Sequence, residues 1–381
     1  MRIACLQFAP RIGELEGNIA KADAILAAED FTGLDLLVLP ELAFTGYNFA
    51  NHESIKPFLE PTASGRSTAW ALSTARRLDC LVTIGYPEIA LDPAALPTNV
   101  SSPNVFAAII TAASARTTAP SNAIGKMSTS DIAAAPSDMP TLPSCLPNPA
   151  LAGLHYNSAV TVSPNGQIVA HYRKSHLYYT DATWASEGNG FFAGTLPLPW
   201  SSHTGTDKRD EINVTMGICM DLNPYNFVSS QDELSLAAHI MLHKPILNIL
   251  SMAWLSHDLV AADPSSPEAK QYHWDTLSYW VNRLIPVMEA EGETILVMAN
   301  RCGMEPGTGA AVLGGDVVYA GTSTVMRAGR SEVEVLGVLG KGEERCLVVD
   351  TEKVSGIERD IESLLTIKQG TTVCDGTESS Q

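Results

Sequence analysis

The chain has 381 residues, 45% of them hydrophobic and 17% charged, and a formal net charge of −18. That balance describes a soluble globular chain long enough to bury a large core, and excludes a disordered one. The acidic surplus argues against a nucleic-acid binder, which needs a basic face to meet phosphates. No apolar run follows a basic stretch at the N-terminus, so no secretory signal is expected. The longest apolar runs, such as "TILVMAN", have strand length and fall short of a membrane span. Seven scattered cysteines suit neither a disulfide framework nor a zinc site. A reducing compartment follows, the cytoplasm with the nucleus as a second location.

Strand and helix signals alternate along the chain. "RIACLQF" is a continuous apolar run, as in a strand buried on both faces. Leu15, Ile19, Ala22 and Leu26 then fall at helical spacing. "LDLLVLP" predicts the next strand, stopped by Pro40, and Ser64 is placed to cap a helix bearing Leu72, Ala75 and Leu78. "LVTIGYPE" is a third strand. Residues 91–153 turn to Pro, Ala, Ser and Thr with little periodicity and read as an insertion.

Order resumes with "YNSAVTVSPNGQIVAHYRK", where Pro-Asn-Gly between two alternating runs predicts a hairpin. "INVTMGIC" is a strand, "DELSLAAHIMLHK" a helix and "PILNILSMAW" a strand. Trp274, Leu277, Val281, Leu284 and Met288 mark a helix stripe with a kink at Pro286. Four more strands end the pattern, "TILVMAN", "STVMRA", "SEVEVLGVL" and "RCLVVD". Many strands and few helices predict one α/β domain over residues 1–365, two layers of sheet covered by helices. Residues 366–381 read as a disordered tail.

Three segments share a design in which a strand stops abruptly and a reactive group follows. Glu41 follows Pro40, Lys174 follows a hairpin strand, and Cys219 ends the run "VTMGIC". Strand ends of α/β sheets line ligand clefts, so these groups can converge. A neutral thiol needs a carboxylate to take its proton, and an ammonium can meet an oxyanion. The Met220 N–H, in the turn after the thiol, is a second candidate oxyanion donor. Together they suit acyl transfer from an amide or nitrile carbon.

The segments "PELAFTGY", "YRKSHLYYTDATWASEG" and "GICMDLNPY" resemble the three signature stretches of the nitrilase superfamily of carbon–nitrogen hydrolases. "NRCGMEPGTGAAVLGGDVVYAGTS" is similar to a further supporting stretch, and the resemblance runs from residue 2 to about 350, the insertion excepted. It implies a four-layer α-β-β-α sandwich, with Glu41 as general base, Lys174 as oxyanion stabiliser and Cys219 as nucleophile. Glu187 matches the family's second glutamate, implying a hydrogen bond to the lysine and a hand in placing substrate.

"MRIACLQFAPRIG", "PELAFTGYNF" and "GICMDLNPY" look like the branch that deamidates N-terminal asparagine and glutamine of peptides. Met220 stands where many relatives have an aromatic residue, which disfavours an ω-amidase or carbamoylase acting on small molecules. The implied partners are peptides or proteins with free N-terminal Asn or Gln and, downstream, the N-degron machinery. Neither nucleic acid nor membrane is implied, no metal or cofactor is required, and a monomer suits a polymer-end substrate. The substrate's α-ammonium requires a carboxylate, for which Asp221, Asp181 and Glu305 are the candidates. Tyr47 and Trp254 are candidate pocket walls.

Other readings are weaker. A silent interaction module on the same fold would be marked by loss of a triad member, and all three are present. His171 and His176 flank Lys174 without a helix-borne metal pattern, so His176 reads as a structural hydrogen-bonder. Gly188-x-Gly190-x-x-Ala193 lacks the preceding strand and following helix of a dinucleotide fingerprint.

Overall fold

Side chains of the first strand, β1 Arg2–Gln7, alternate between two cores. Ile3 and Cys5 join one apolar cluster, Ala4 and Leu6 the other. Period-two alternation with both faces apolar requires a layer on each side of the strand. The computed structural model describes residues 1–90, 155–197, 211–227, 234–258, 260–307 and 315–353. The expected insertion and the expected tail both lie outside the described residues.

After β1 come β2 Leu36–Val38, β3 Glu60–Pro61, β4 Leu81–Ile89, β5 His155–Val162 and β6 Ile168–Arg173. They continue with β7 Phe192–Pro197, β8 Glu211–Ile218, β9 Leu247–Met252 and β10 Thr294–Asn300. The last are β11 Met304–Glu305, β12 Val317–Val318, β13 Thr324–Gly329, β14 Glu332–Val338 and β15 Arg345–Asp350.

One sheet has the order β15-β1-β2-β4-β5-β6, with β3 beside β4; the other runs β14-β13-β10-β9-β8-β7. Each is built on parallel strands, β1-β2-β4 in one and β8-β9-β10 in the other, with antiparallel strands outside them. The helices Leu15–Leu26 and Arg66–Leu78 belong to the first sheet's outer core. The helices Ser235–His243, Trp274–Arg283 and Ile285–Met288 join the core shared with the second sheet. The result is an α-β-β-α sandwich. Each fully buried Leu or Ile in these layers contributes about 1.5–3 kcal/mol.

Local details follow the sequence with one exception. The β5–β6 hairpin closes through Ser163 N–H to Gln167 O, with Gly166 at φ +83 in the turn. The predicted kink is a break, with helix ending at Arg283 and resuming at Ile285. Ser64 does not cap the helix Arg66–Leu78. Gly65 stands at the cap and the Glu60 carboxylate accepts from the Ser67 N–H and hydroxyl at 2.9 and 2.7 Å. A Cβ at residue 65 would lie 2.2 Å from a Glu60 oxygen, so glycine is what lets this distant cap approach.

The sheets are clasped where their parallel strands end. Glu41 N–H donates to Met252 O at 3.3 Å, and Ser251 Oγ donates to Leu39 O at 3.0 Å. Gln7 bridges further along, giving its amide N–H to Gly340 O and accepting from Ser323 N–H.

Candidate active site

Cys219 is the first residue past β8, at the head of the short turn Cys219–Leu222. Its φ of 40° lies in the left-handed region, which costs a non-glycine residue about 1–3 kcal/mol and persists only where surroundings enforce it. Asp221 is that enforcement. Its carboxylate accepts from Ile218 N–H at 2.7 Å, Tyr172 OH at 2.7 Å, Ser175 N–H at 3.1 Å and His176 N–H at 2.8 Å. One side chain thus ties the cysteine turn to the loop that carries Lys174. The expectation that Asp221 faces a substrate ammonium is corrected, because its oxygens are taken up by these donors.

Glu41 follows β2 and is wholly buried. The next residue, Leu42, has φ 44°, and the Gly85 backbone passes so close that a Cβ there would sit 2.7 Å from Glu41 Cα. Glu41 Oε1 accepts from Lys174 Nζ at 2.6 Å and Asn157 Nδ2 at 2.7 Å. Its Oε2 is buried and has no hydrogen-bond partner among the described residues. Lys174 Nζ also donates to Asp181 Oδ2 at 2.5 Å, and Asn157 Nδ2 to Asp181 Oδ1 at 3.0 Å. Two carboxylates are therefore bridged twice, by an ammonium and by an amide. Asn157 additionally accepts the Lys174 backbone N–H at 2.8 Å, so it touches all three members of the cluster.

The electrostatics follow from burial and these contacts. Burial, then the Glu41 charge, pushes the Cys219 thiol well above 9.0, with Lys174 and the Ala253 N–H opposing. Burial also raises the Glu41 carboxyl above 4.5 despite Lys174, with Asp181 adding to the rise. Burial works against the Lys174 charge, but Asp181 and Glu41 outweigh it and its pKa rises. The resting thiol is therefore protonated, the Glu41 carboxyl holds a proton more readily than a free one, and Lys174 keeps its charge. An ammonium has three donors, and two are committed. The third and the free Glu41 oxygen are what the cluster can offer a reacting group.

The remaining sequence candidates fall variously. Glu187 does not bond Lys174. It is exposed and accepts from Tyr225 OH at 2.7 Å, and the position expected of it beside the ammonium is filled by Asp181. Asp181, expected to read a substrate amine, is instead held by Lys174, Asn157 and the Tyr178 N–H. Glu305 is likewise committed, to Arg301, Tyr319 OH and the Tyr47 and Asn48 N–H groups.

Tyr47 is buried with its ring centroid 5.7 Å from Lys174 Nζ. Met220 is buried directly behind Cys219 and its sulfur accepts from Asn223 Nδ2. Trp254 is half-buried against Tyr279 and Trp280. His176 bonds Asn223 O through Nδ1, a structural contact as expected. Sequence reasoning missed Asn157, whose only signal is a polar residue in an apolar strand. It also missed Tyr178, whose hydroxyl is raised first by burial and then by Cys219 whenever that thiol is ionised.

The Carbon-nitrogen hydrolase family matches residues 2–117. Over 371 residues the chain is 29% identical to the protein N-terminal amidase of Schizosaccharomyces pombe, across 93% of this chain and 100% of that protein. It is also 24% identical over 266 residues to the Saccharomyces cerevisiae protein N-terminal amidase, across 67% of this chain but 45% of that protein. A crystal structure of N-terminal amidase with an Asn-Glu-Ala peptide matches at TM-score 0.66 and 19% identity, covering 91% of this chain and 96% of that one. Another, with a Gln-Val peptide, matches at TM-score 0.65 and 18% identity over the same shares of both chains. At such identities the likeness is one of fold.

Proposed function

We infer that this chain is a protein N-terminal amidase, hydrolysing the side-chain carboxamide of N-terminal Asn and Gln to Asp and Glu with release of ammonia. The observation that carries the chemistry is the buried Glu41–Lys174 pair, at 2.6 Å, with a free Glu41 oxygen in the electrostatic neighbourhood of the Cys219 thiol. The amidase of Schizosaccharomyces pombe, aligned along its whole length, supports the substrate class.

In this reading Cys219 Sγ attacks the carboxamide carbon as its proton passes to Glu41 Oε2. The third Lys174 N–H meets the oxyanion. Glu41 gives the proton to the leaving nitrogen, ammonia departs and a thioester remains. Water, losing a proton to Glu41, then attacks the thioester and frees the acid and the thiol. No cofactor enters this balance. We extend the reading to action in a reducing compartment, since the described cysteines Cys5, Cys80, Cys219, Cys302 and Cys346 are free and buried. The acidic N-terminus so formed is proposed to pass to the N-degron machinery.

Ammonia release from Asn- and Gln-initiated peptides, beside their N-acetylated forms, tests the reading. Turnover is expected only with the free amine and is lost in Cys219→Ser. Equal turnover of acetylated peptides or free amides would point to a small-molecule amidase instead.

A further inference from the structure

Outside the buried Glu41 cluster, two histidines meet between the segment that follows Glu41 and the start of β5. His52 opens the short helix His52–Ile55, His155 opens β5, and their ring centroids stand 4.7 Å apart. Each ring keeps one nitrogen buried with no hydrogen-bond partner among the described residues, His52 Nε2 and His155 Nδ1. A buried polar atom without a partner is costly, and a pair of them in one contact points to a ligand. We propose that His52 and His155 bind one divalent transition-metal ion of the zinc type, which pins the segment after Glu41 to the strand carrying Asn157.

The spacing suits such an ion. Zinc at about 2.0–2.1 Å from one nitrogen of each ring, with a tetrahedral angle between them, sets the centroids about 5 Å apart. The His52 tautomer is set by its neighbour. Glu53 Oε1 lies 3.3 Å from His52 Nδ1, which places the proton there and leaves the lone pair on the buried Nε2. A carboxylate behind an imidazole is the common support of a metal-bound histidine. The other Glu53 oxygen lies 3.8 Å from Lys56 Nζ and tempers the lysine charge that His155 feels. Burial, then His52 and Lys56, lowers the His155 pKa, so its ring is neutral near pH 7, as a ligand must be.

Among the described residues no third His, Cys, Asp or Glu joins the pair, so water completes the coordination. His155 and Asn157 lie two apart on β5 and share a face, and Ser186 N–H bonds His155 O at 2.8 Å. The ion therefore clasps the rim of the Glu41 cluster and takes no part in the reaction above. A second pair, His239 and His243, has rings 4.4 Å apart, but His239 Nε2 is already bonded to Phe192 O. That pair serves as the control.

Zinc titration of the full chain, read by calorimetry and by thermal unfolding, tests the site. Wild type is expected to take up one equivalent and to unfold at a higher temperature with zinc present. His52→Ala and His155→Gln should each abolish that uptake and the shift, while His243→Ala keeps both. Glu53→Gln should weaken the affinity about 10-fold, because it removes the support behind His52. His52 is partly exposed, so its variant keeps the test open if the buried His155 variant does not fold. Cobalt in place of zinc should give visible absorption bands in wild type that are missing in His52→Ala. No uptake by wild type, uptake unchanged in either His52→Ala or His155→Gln, or uptake lost in His243→Ala overturns the proposal.

Discussion

Two buried glutamates within the same sheet region carry opposite shifts. Glu88 and Glu41 both have fully buried side chains. Glu88 accepts from Arg173, His171, Ser158 Oγ and Thr62 Oγ1, and its carboxyl is held below 4.5: burial pushes it up, but His171 and Arg173 outweigh burial. Glu41 shares one ammonium with Asp181, keeps one oxygen without a partner among the described residues, and its carboxyl is raised. Arg173 and Lys174 are adjacent, so the chain sends one cation to each cluster. The saturated cluster holds the sheet together, and the unsaturated one has capacity left for a reaction.

Three experiments break or sharpen that contrast. The largest effect is expected from Glu41→Gln, which removes the proton acceptor and should lower kcat by about 10²–10⁴-fold. Its urea-unfolding free energy should move much less than that of the matching change at residue 88. Equal losses of stability in the two variants would erase the distinction.

Glu88→Gln comes second, leaving Arg173 without its anionic partner. A stability loss of about 3–5 kcal/mol at pH 7 is expected, with kcat changed less than in Glu41→Gln. Because the folded-state pKa of Glu88 is depressed, its contribution is complete above the unfolded value, near 4.5, and fades as pH falls toward the folded one. The gap between wild type and variant in urea unfolding should therefore begin to narrow below about pH 4 and keep narrowing as pH falls toward the depressed folded-state value. A gap that widens on acidification would contradict the assigned shift.

The smallest effect concerns Asn157→Leu. Deleting a hydrogen bond that favours the charged form of Glu41 should raise its pKa further, moving the acid limb of kcat/KM upward by about one pH unit. A merely structural asparagine would lower the plateau and leave the limb in place. On the alkaline side, the raised Lys174 pKa predicts no loss of activity from that group below the ordinary lysine value of 10.5.

How much of this was legible in the sequence depends on what each residue's neighbours reveal. The strand stops at Pro40 and Cys219, the hairpin turn and the break at Pro286 were readable, because local chemistry sets them. The exchange of places between Asp181 and Glu187 was not. Both lie downstream of Lys174, and only the 3-10 turn Asp181–Thr183 decides which carboxylate swings inward. Asp221 and Glu305 were misread for a related reason. Charged residues beside a site suggest ligands, yet here they serve backbone N–H groups of tight turns, and those donors carry no sequence signature. Ser64 is a local cap by pattern, but Glu60, folded back against Gly65, has the stronger acceptor.

The hydrogen bonds from Glu41 to Met252 and from Ser251 to Leu39 have a mechanical consequence. The acid and the sulfur belong to different layers, so the gap between them is set by how tightly the sandwich is stitched. A trimmed side chain deep in the interlayer core, at Ile3 or Val297, would loosen the seam and reach turnover well before it reaches unfolding.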